Sequence, residues 1–230
     1  MQTDSKSETL AQYLYDADNR RMEKIVENGG LPDDESLDGT TRYYYHGLRV
    51  LEERDGSGDL LRQYTYGNYL DEVWTIDDRS GSITVAQLND TTGSQRHFAH
   101  ANTLYHVHGL TDEEGNLVEG YQYDAYCKTT VITDGDDGDS IVNFNSNDVR
   151  TPGGWSSVSN PYQYTGQRYD AETGLMYYKN RYYDADLGRF ICRGGIILAM
   201  ILEKFRPYAP AGAEWLAGLK TQLVRKTAHD

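Results

Sequence analysis

Residues 160–190 read NPYQYTGQRYDAETGLMYYKNRYYDADLGRF. Tyr162 and Tyr164 stand two positions apart, and Gly166 then leads into a second burst, Arg168-Tyr169-Asp170. Two tyrosines at that spacing share one face of a β-strand, whereas on a helix they diverge. The Tyr-x-Tyr pair occurs five times in the chain: Tyr13/Tyr15, Tyr43/Tyr45, Tyr64/Tyr66, Tyr121/Tyr123 and Tyr162/Tyr164.

The residues after each pair are also similar. Tyr15 leads into Asp16 and Arg20-Arg21, Tyr45 into Gly47-Leu48-Arg49-Val50, Tyr66 into Gly67-Asn68, and Tyr123 into Asp124-Ala125-Tyr126-Cys127-Lys128. Turn clusters lie between: Asp55-Gly56-Ser57-Gly58, then the stretches 77–81, 89–93 and 112–116. Each sets Gly beside Asp, Asn or Ser, the residues that tolerate positive φ in hairpin turns. The pattern predicts a succession of β-hairpins with a degenerate period of about 20 residues. Two stretches break it. The segment 134–159 is rich in Asp, Asn, Gly and Ser and reads as a loop insertion. From Arg193 onward, six Lys or Arg face three Asp or Glu, and the charge turns positive. There Ile196, Ile197, Met200 and Ile201 fall at helical spacing, as do Trp215, Leu216, Leu219 and Leu223, on either side of Pro207 and Pro210; the expectation is two short amphipathic helices.

Composition bounds the function. The 230 residues carry 22 Lys plus Arg against 36 Asp plus Glu, a formal net charge of −14. That surface disfavours nucleic-acid binding driven by counterion release, which needs Lys and Arg. With 20 Tyr against four Phe and three Trp, the core must be aromatic rather than aliphatic. The longest apolar run, 196–202, is too short to cross a bilayer, and residues 1–12 lack the apolar centre of a secretory signal. Two cysteines make neither a disulfide framework nor a four-ligand zinc site.

The stretch 160–190 resembles the signature of the bacterial RHS repeat-associated core domain, and the earlier Tyr-Asp units resemble the YD repeats that precede it. Residues 104–116 and 117–128 (LYHVHGLTDEEGN, LVEGYQYDAYCK) are similar to stretches just upstream of that signature, and 64–74 (YTYGNYLDEVW) to an earlier unit. The resemblance spans roughly residues 12–192. It implies an all-β fold of repeated antiparallel hairpins forming part of a spiral shell. In complete members the shell encloses a C-terminal polymorphic toxin or effector, and the core domain cuts the chain by an aspartyl self-cleavage. Members are often secreted or displayed at the cell surface. The family's Asp-Pro-x-Gly segment after Gly-Arg-Phe is missing: Gly188-Arg189-Phe190 runs into Ile191-Cys192-Arg193, and the chain holds no Asp-Pro dipeptide.

Other candidate chemistry is weaker than its structural explanation. His97, His100, His106 and His108 fall within 12 residues and could hold zinc or nickel, but no carboxylate or cysteine completes the set. The run Asp134-Gly135-Asp136-Asp137-Gly138-Asp139 fails as a calcium loop, since Gly138 sits where a ligand belongs and the closing position is Asn145. Cys127 and Cys192 lie in no nucleophile motif, and Cys127 takes a place where the YD pattern commonly has Gly. Adjacent carboxylates such as Asp33/Asp34 and Glu52/Glu53 point to opposite faces of a strand. The tyrosines could stack on sugar rings, and Tyr-x-Tyr on one face suits that too, but the core and cross-strand ladder of the sheet is the favoured explanation.

These observations divide the chain into a polar segment 1–11, degenerate YD/RHS repeats 12–96, a core domain 97–192 and a divergent helical tail 193–230. The expected function is a non-catalytic piece of shell that encapsulates or presents a toxin or effector of a longer parent chain. No catalytic, cofactor or metal residue is assigned. The partners expected are that effector or the remaining shell repeats, with no nucleic acid and no membrane span. A carbohydrate-binding adhesion module is the rival, and a self-cleaving protease is disfavoured by the absent Asp-Pro. A partial spiral with open edges at both ends is expected to be marginally stable or to self-associate.

Overall fold

The structure is a computed structural model that describes residues 11–27, 37–79, 95–135, 142–144, 147–191 and 220–224. Eleven strands succeed one another: β1 (Ala11–Tyr15), β2 (Arg21–Val26), β3 (Gly39–His46), β4 (Arg49–Asp55), β5 (Leu60–Tyr66), β6 (Val73–Asp78), β7 (Gln95–Ala101), β8 (Val107–Thr111), β9 (Leu117–Tyr123), β10 (Thr129–Thr133) and β11 (Val149–Pro152). Each pairs antiparallel with its neighbours in sequence, so the sheet runs from β11 to β1 without a crossover. β12 (Arg168–Asp170), β13 (Leu175–Tyr177), β14 (Tyr182–Asp184) and β15 (Arg189–Phe190) form a second, four-stranded antiparallel sheet. The expected hairpin architecture is the observed one.

Turn chemistry sets the register. At Asp16, Asp55, Asn102 and Asp124 the side-chain oxygen accepts the backbone N–H groups two and four residues ahead. Asp112 likewise accepts the N–H of Asn116. The residue three ahead takes the left-handed conformation in all five turns: Asn19, Gly58, Tyr105, Gly115 and Cys127. Each of these turns also closes with two backbone hydrogen bonds, as in Cys127 N–H to Asp124 O and Asp124 N–H to Lys128 O. The Asp of the Tyr-Asp unit is therefore the acceptor that builds the turn.

A second device ties each hairpin to the one before. Opposite Tyr15, Tyr45 and Tyr66 the ladder slips by one residue, leaving Met22, Leu51 and Trp74 as the extra residues of bulges; His108 is the extra residue opposite the end of β7. A bulge opens the ladder and frees backbone groups. The second tyrosine of the next pair supplies a donor: Tyr45 hydroxyl to Arg21 O and Tyr66 hydroxyl to Val50 O, both at 2.8 Å, and Tyr123 hydroxyl to Val107 O. The first tyrosine of each pair points inward, and Tyr13, Tyr43, Tyr64, Tyr121 and Tyr162 are all buried. One cluster joins Tyr43, Tyr64, Ile76, Leu110, Tyr121 and Tyr162, and a second joins Tyr13, Tyr15, Val26, Leu175, Tyr177 and Tyr182. Both include residues from 160–190, so that segment covers the inward face of the large sheet.

Three expectations change. The tail was expected to be helical through Leu223, but Lys220–Val224 forms β16, antiparallel to β1. The open edge of β1 offers N–H and C=O groups to any extended segment, and that satisfaction outweighs a short amphipathic stretch with little intrinsic helix stability. The remaining helical positions, 196–219, lie outside the described residues, as do the turn cluster at 89–93, residues 136–140 and Cys192. The second change is a consequence of the first: the β1 end of the sheet is covered rather than open. The third is that the stretch 134–159, expected as a loop insertion, supplies the edge strand β11 and, at Ser157, two hydrogen bonds to Glu119.

Candidate functional site

The seam between residues 155–190 and the large sheet holds the densest chemistry among the described residues. Asn160 opens the segment by donating from Nδ2 to the Tyr121 hydroxyl at 2.9 Å and to Tyr162 O at 2.8 Å. Tyr162 stands edge-on to Tyr64 and shares a hydrogen bond of 2.6 Å with the Tyr66 hydroxyl. A single 3-10 turn, Tyr164–Gly166, then sits on β8. There the Thr165 N–H donates to His106 Nδ1 at 3.0 Å, and the His106 ring stacks on Tyr164 with centroids 4.1 Å apart.

Beyond the turn, Arg168 and Asp170 project from alternate positions of β12 into the sheet face. Arg168 donates to Glu53, which also receives Arg62 at 2.7 Å and the Tyr64 hydroxyl at 2.8 Å. The Arg168 guanidinium lies over the rings of Tyr43 and Tyr162, 5.1 and 5.0 Å from their centroids. Asp170 pairs with Arg21 at 2.6 Å, and both side chains are essentially sealed, at 2% and 1% exposure. Arg21 in turn lies over Tyr13, Tyr43 and Tyr177. Glu172 accepts the Tyr13 hydroxyl at 2.7 Å and Lys24 at 3.2 Å.

Isolated charges so buried would each cost several kcal/mol, so their pairing is a condition of folding. Burial pushes the Glu53 carboxyl up, but Arg168 and Arg62 overcome it and hold the group well below the carboxylate range. Burial also dominates at Asp170, where the nearby Glu172 adds to it and Arg21 opposes; the net direction is upward. At Glu172, Lys24 and the Tyr13 hydrogen bond prevail over burial and lower the group.

Glu53, Asp170 and Glu172, with Lys24, Arg62 and Arg168, line a cleft of about 380 Å³ that also meets Thr41, Ser156 and Ser157. Two carboxylates shifted in opposite directions can mark an acid/base pair, but structural ion pairs produce the same signature. Here each shifted carboxylate is held by a cation or hydroxyl that crosses the seam: Glu53 by Arg168, Asp170 by Arg21, Glu172 by Tyr13 and Lys24. The arrangement locks one layer onto the other.

The four histidines lie on or beside the neighbouring strands β7 and β8. His97 and His100 lie on β7 with His97 buried and His100 exposed, the latter bonded to Thr111 Oγ1 at 2.9 Å. His106 and His108 have ring centroids 6.4 Å apart, and His108 Nε2 meets Asn102 Nδ2. Among the described residues no group of three or more His, Cys, Asp or Glu is placed to hold a metal ion. Cys127 is half-buried in its turn at φ +69°, which explains why Gly suits that position. Glu52 and Glu53 do face apart: Glu53 is buried, and Glu52 pairs with Arg54 at 2.8 Å. Of the aromatic residues exposed to solvent, Tyr69 stacks on Tyr105 with centroids 4.5 Å apart, which covers one face of each ring.

Glu119 and Glu172 were not singled out from sequence; Arg21, Arg168 and Asp170 stood out only as parts of the repeat, and Glu53 only as half of an adjacent carboxylate pair. A signal existed. Glu119 stands two before Tyr121, and Arg168 two before Asp170, so each charge shares a strand face with a partner of the seam.

No protein-family model matches the chain. It is 30% identical over 184 residues to the tRNA3(Ser)-specific nuclease WapA of Bacillus spizizenii, covering 79% of this chain and 6% of that protein. It is 29% identical over 184 residues to the tRNA nuclease WapA of Bacillus subtilis, with the same coverage. It is 26% identical over 212 residues to the double-stranded DNA deaminase toxin A of Burkholderia cenocepacia, covering 89% of this chain and 13% of that one. The chain thus spans a small part of the relatives' length. Among solved structures, the crystal structure of TcdB2-TccC3 superposes with a TM-score of 0.50 and 21% identity, over 83% of this chain and 8% of that one. The likeness shows the fold: stacked antiparallel hairpins of the RHS-repeat kind.

Proposed function

We propose that this chain is a non-catalytic piece of an RHS/YD-repeat shell, whose role is to encapsulate or present a toxin or effector carried by a longer parent protein. The observation that carries this reading is the seam. The strongly perturbed carboxylates cross-link residues 155–190 to the sheet, so the chemistry present serves to hold a wall together. The relatives support it as well: they bear the names of nucleases and of a deaminase toxin, yet this chain matches only 6% to 13% of their length. A wall region common to proteins with different named activities fits a container better than an active site.

Two measurements test this. Sequencing the genomic locus on both sides of the reading frame should find further Tyr-x-Tyr hairpins upstream and an effector-coding region downstream, in frame or shifted. An isolated locus without either would remove the container reading. Incubating the purified chain with total tRNA and with double-stranded DNA should leave both unchanged. Cleavage or deamination that disappears on Glu53→Gln would instead place an active site in the seam.

A further inference from the structure

Among the described residues, β16 is the one strand of the large sheet that breaks sequence order. Every other neighbour in that sheet is also a neighbour in the chain, whereas β16 joins Lys220–Val224 to β1, with Ala11 opposite Val224 and Tyr15 opposite Lys220. The two ends of the hairpin array differ in how they resist pairing. β11 at one end reads Val-Arg-Thr-Pro, exposed throughout, and its Arg150 and Pro152 are the residue types that discourage a further strand. β1 at the other end reads Ala-Gln-Tyr-Leu-Tyr, with no charge and no proline, and it alternates buried with half-buried side chains. Short apolar strands of that kind pair readily with one another.

The tyrosine hydroxyls point the same way. Tyr45, Tyr66 and Tyr123 reach back to a bulge on the preceding strand, but Tyr15 turns instead to the Tyr182 hydroxyl at 2.7 Å. The β1 edge therefore has its full backbone ladder to offer and no tyrosine anchor committing it to a particular predecessor.

We propose that the β1 edge is a self-pairing surface for a second copy of this chain, and that Lys220–Val224 is the in-chain cap that blocks it. Without the cap, β1 meets β1 of the second copy antiparallel about a twofold axis, the symmetric geometry that a single strand can satisfy with itself. Residues 192–219 connect Ile191 to the cap. A tether of that length reaches either its own β1 or that of a neighbour, so the assignment of the cap to its own chain is itself open to test.

The experiment is sedimentation velocity on the full chain across a hundredfold concentration range. Wild type is expected as one species at the 26.1 kDa monomer mass. Thr221→Pro with Gln222→Pro removes two consecutive backbone donors from β16, so the ladder to β1 is broken whichever one faces it. That variant is expected to shift towards twice the monomer mass as concentration rises, and Leu14→Lys added to it to restore the monomer. A proline variant that stays monomeric throughout, or a wild type that is already dimeric, overturns the proposal. A second measurement is independent of how the proline variant folds. With Cys127→Gly and Cys192→Ser as background, Leu14→Cys and Thr221→Cys stand in register and should oxidise to a crosslink within one chain. Absence of a crosslink, or one that joins two chains, overturns the in-chain cap.

Discussion

Replacing Arg168 by Met removes the cation that joins β12 to β4 while keeping a side chain of similar reach. Glu53, 1% exposed, would keep Arg62 and the Tyr64 hydroxyl but lose its second guanidinium. Breaking a buried pair from one side costs about 3–5 kcal/mol, and the retained Arg62 argues for the lower limit, about 3 kcal/mol. Loss of the guanidinium from the Tyr43 and Tyr162 ring faces adds about 1 kcal/mol. The expected loss of about 4 kcal/mol corresponds to roughly 8–16 °C in Tm for a chain of this size. Urea unfolding followed by tryptophan fluorescence measures it, with Arg96→Met as control. Arg96 pairs with Asp77 at 45% exposure of its own side chain, and a surface pair of that kind is worth about 0–1 kcal/mol. Glu53→Gln and the double variant complete a cycle, whose coupling should be about 2 kcal/mol. A loss at Arg168 no larger than at Arg96, or two additive single effects, would refute the seam as the lock between the layers.

Individual contacts set other outcomes. Cys127→Gly relieves a left-handed backbone position and should raise stability by about 0.5–1 kcal/mol in the same unfolding assay. Asp124→Ala strips the acceptor from two backbone donors and should lower it by about 1 kcal/mol. Tyr66→Phe removes a hydroxyl shared by Val50 O and Tyr162 and should cost about 1–2 kcal/mol, whereas Tyr44→Phe, on the exposed face, should change stability by less than about 0.5 kcal/mol. Burial lowers both His97 and His106, so the unfolded chain takes up protons first as pH falls through about 6.5. Calorimetry should therefore find Tm lower at pH 5.5 than at pH 7.5, and a smaller difference in His106→Asn.

The hairpins were legible because their signals are local. Tyr-x-Tyr fixes a strand face within three residues, and Asp124 to Lys128 contains its whole turn. That the core is built of tyrosine was implied by composition, since the chain has 20 Tyr against four Phe and three Trp. The seam was not legible because its partners are remote in sequence: Arg21 meets Asp170 across 149 residues, and Glu53 meets Arg168 across 115. Nothing local distinguishes Glu53, which faces the core, from Glu52, until Tyr43 is placed opposite it by the β3–β4 register. The tail misled for a related reason. Leu216, Leu219 and Leu223 have helical spacing, but the fate of Leu223 is decided by an edge some 210 residues earlier in the chain, where Ala11 meets Val224.

The most direct test of the central claim, that residues 160–182 and the tyrosine-lined sheet form one wall, is native-state hydrogen exchange read by mass spectrometry across sub-denaturing urea. Buried pairs that cross the seam require the amides of Arg168–Tyr177 and those of β3 to β5 to open with one free energy and one urea dependence. Exchange of 160–182 at a much lower opening free energy, with the sheet still protected, would show a detachable segment and contradict the wall.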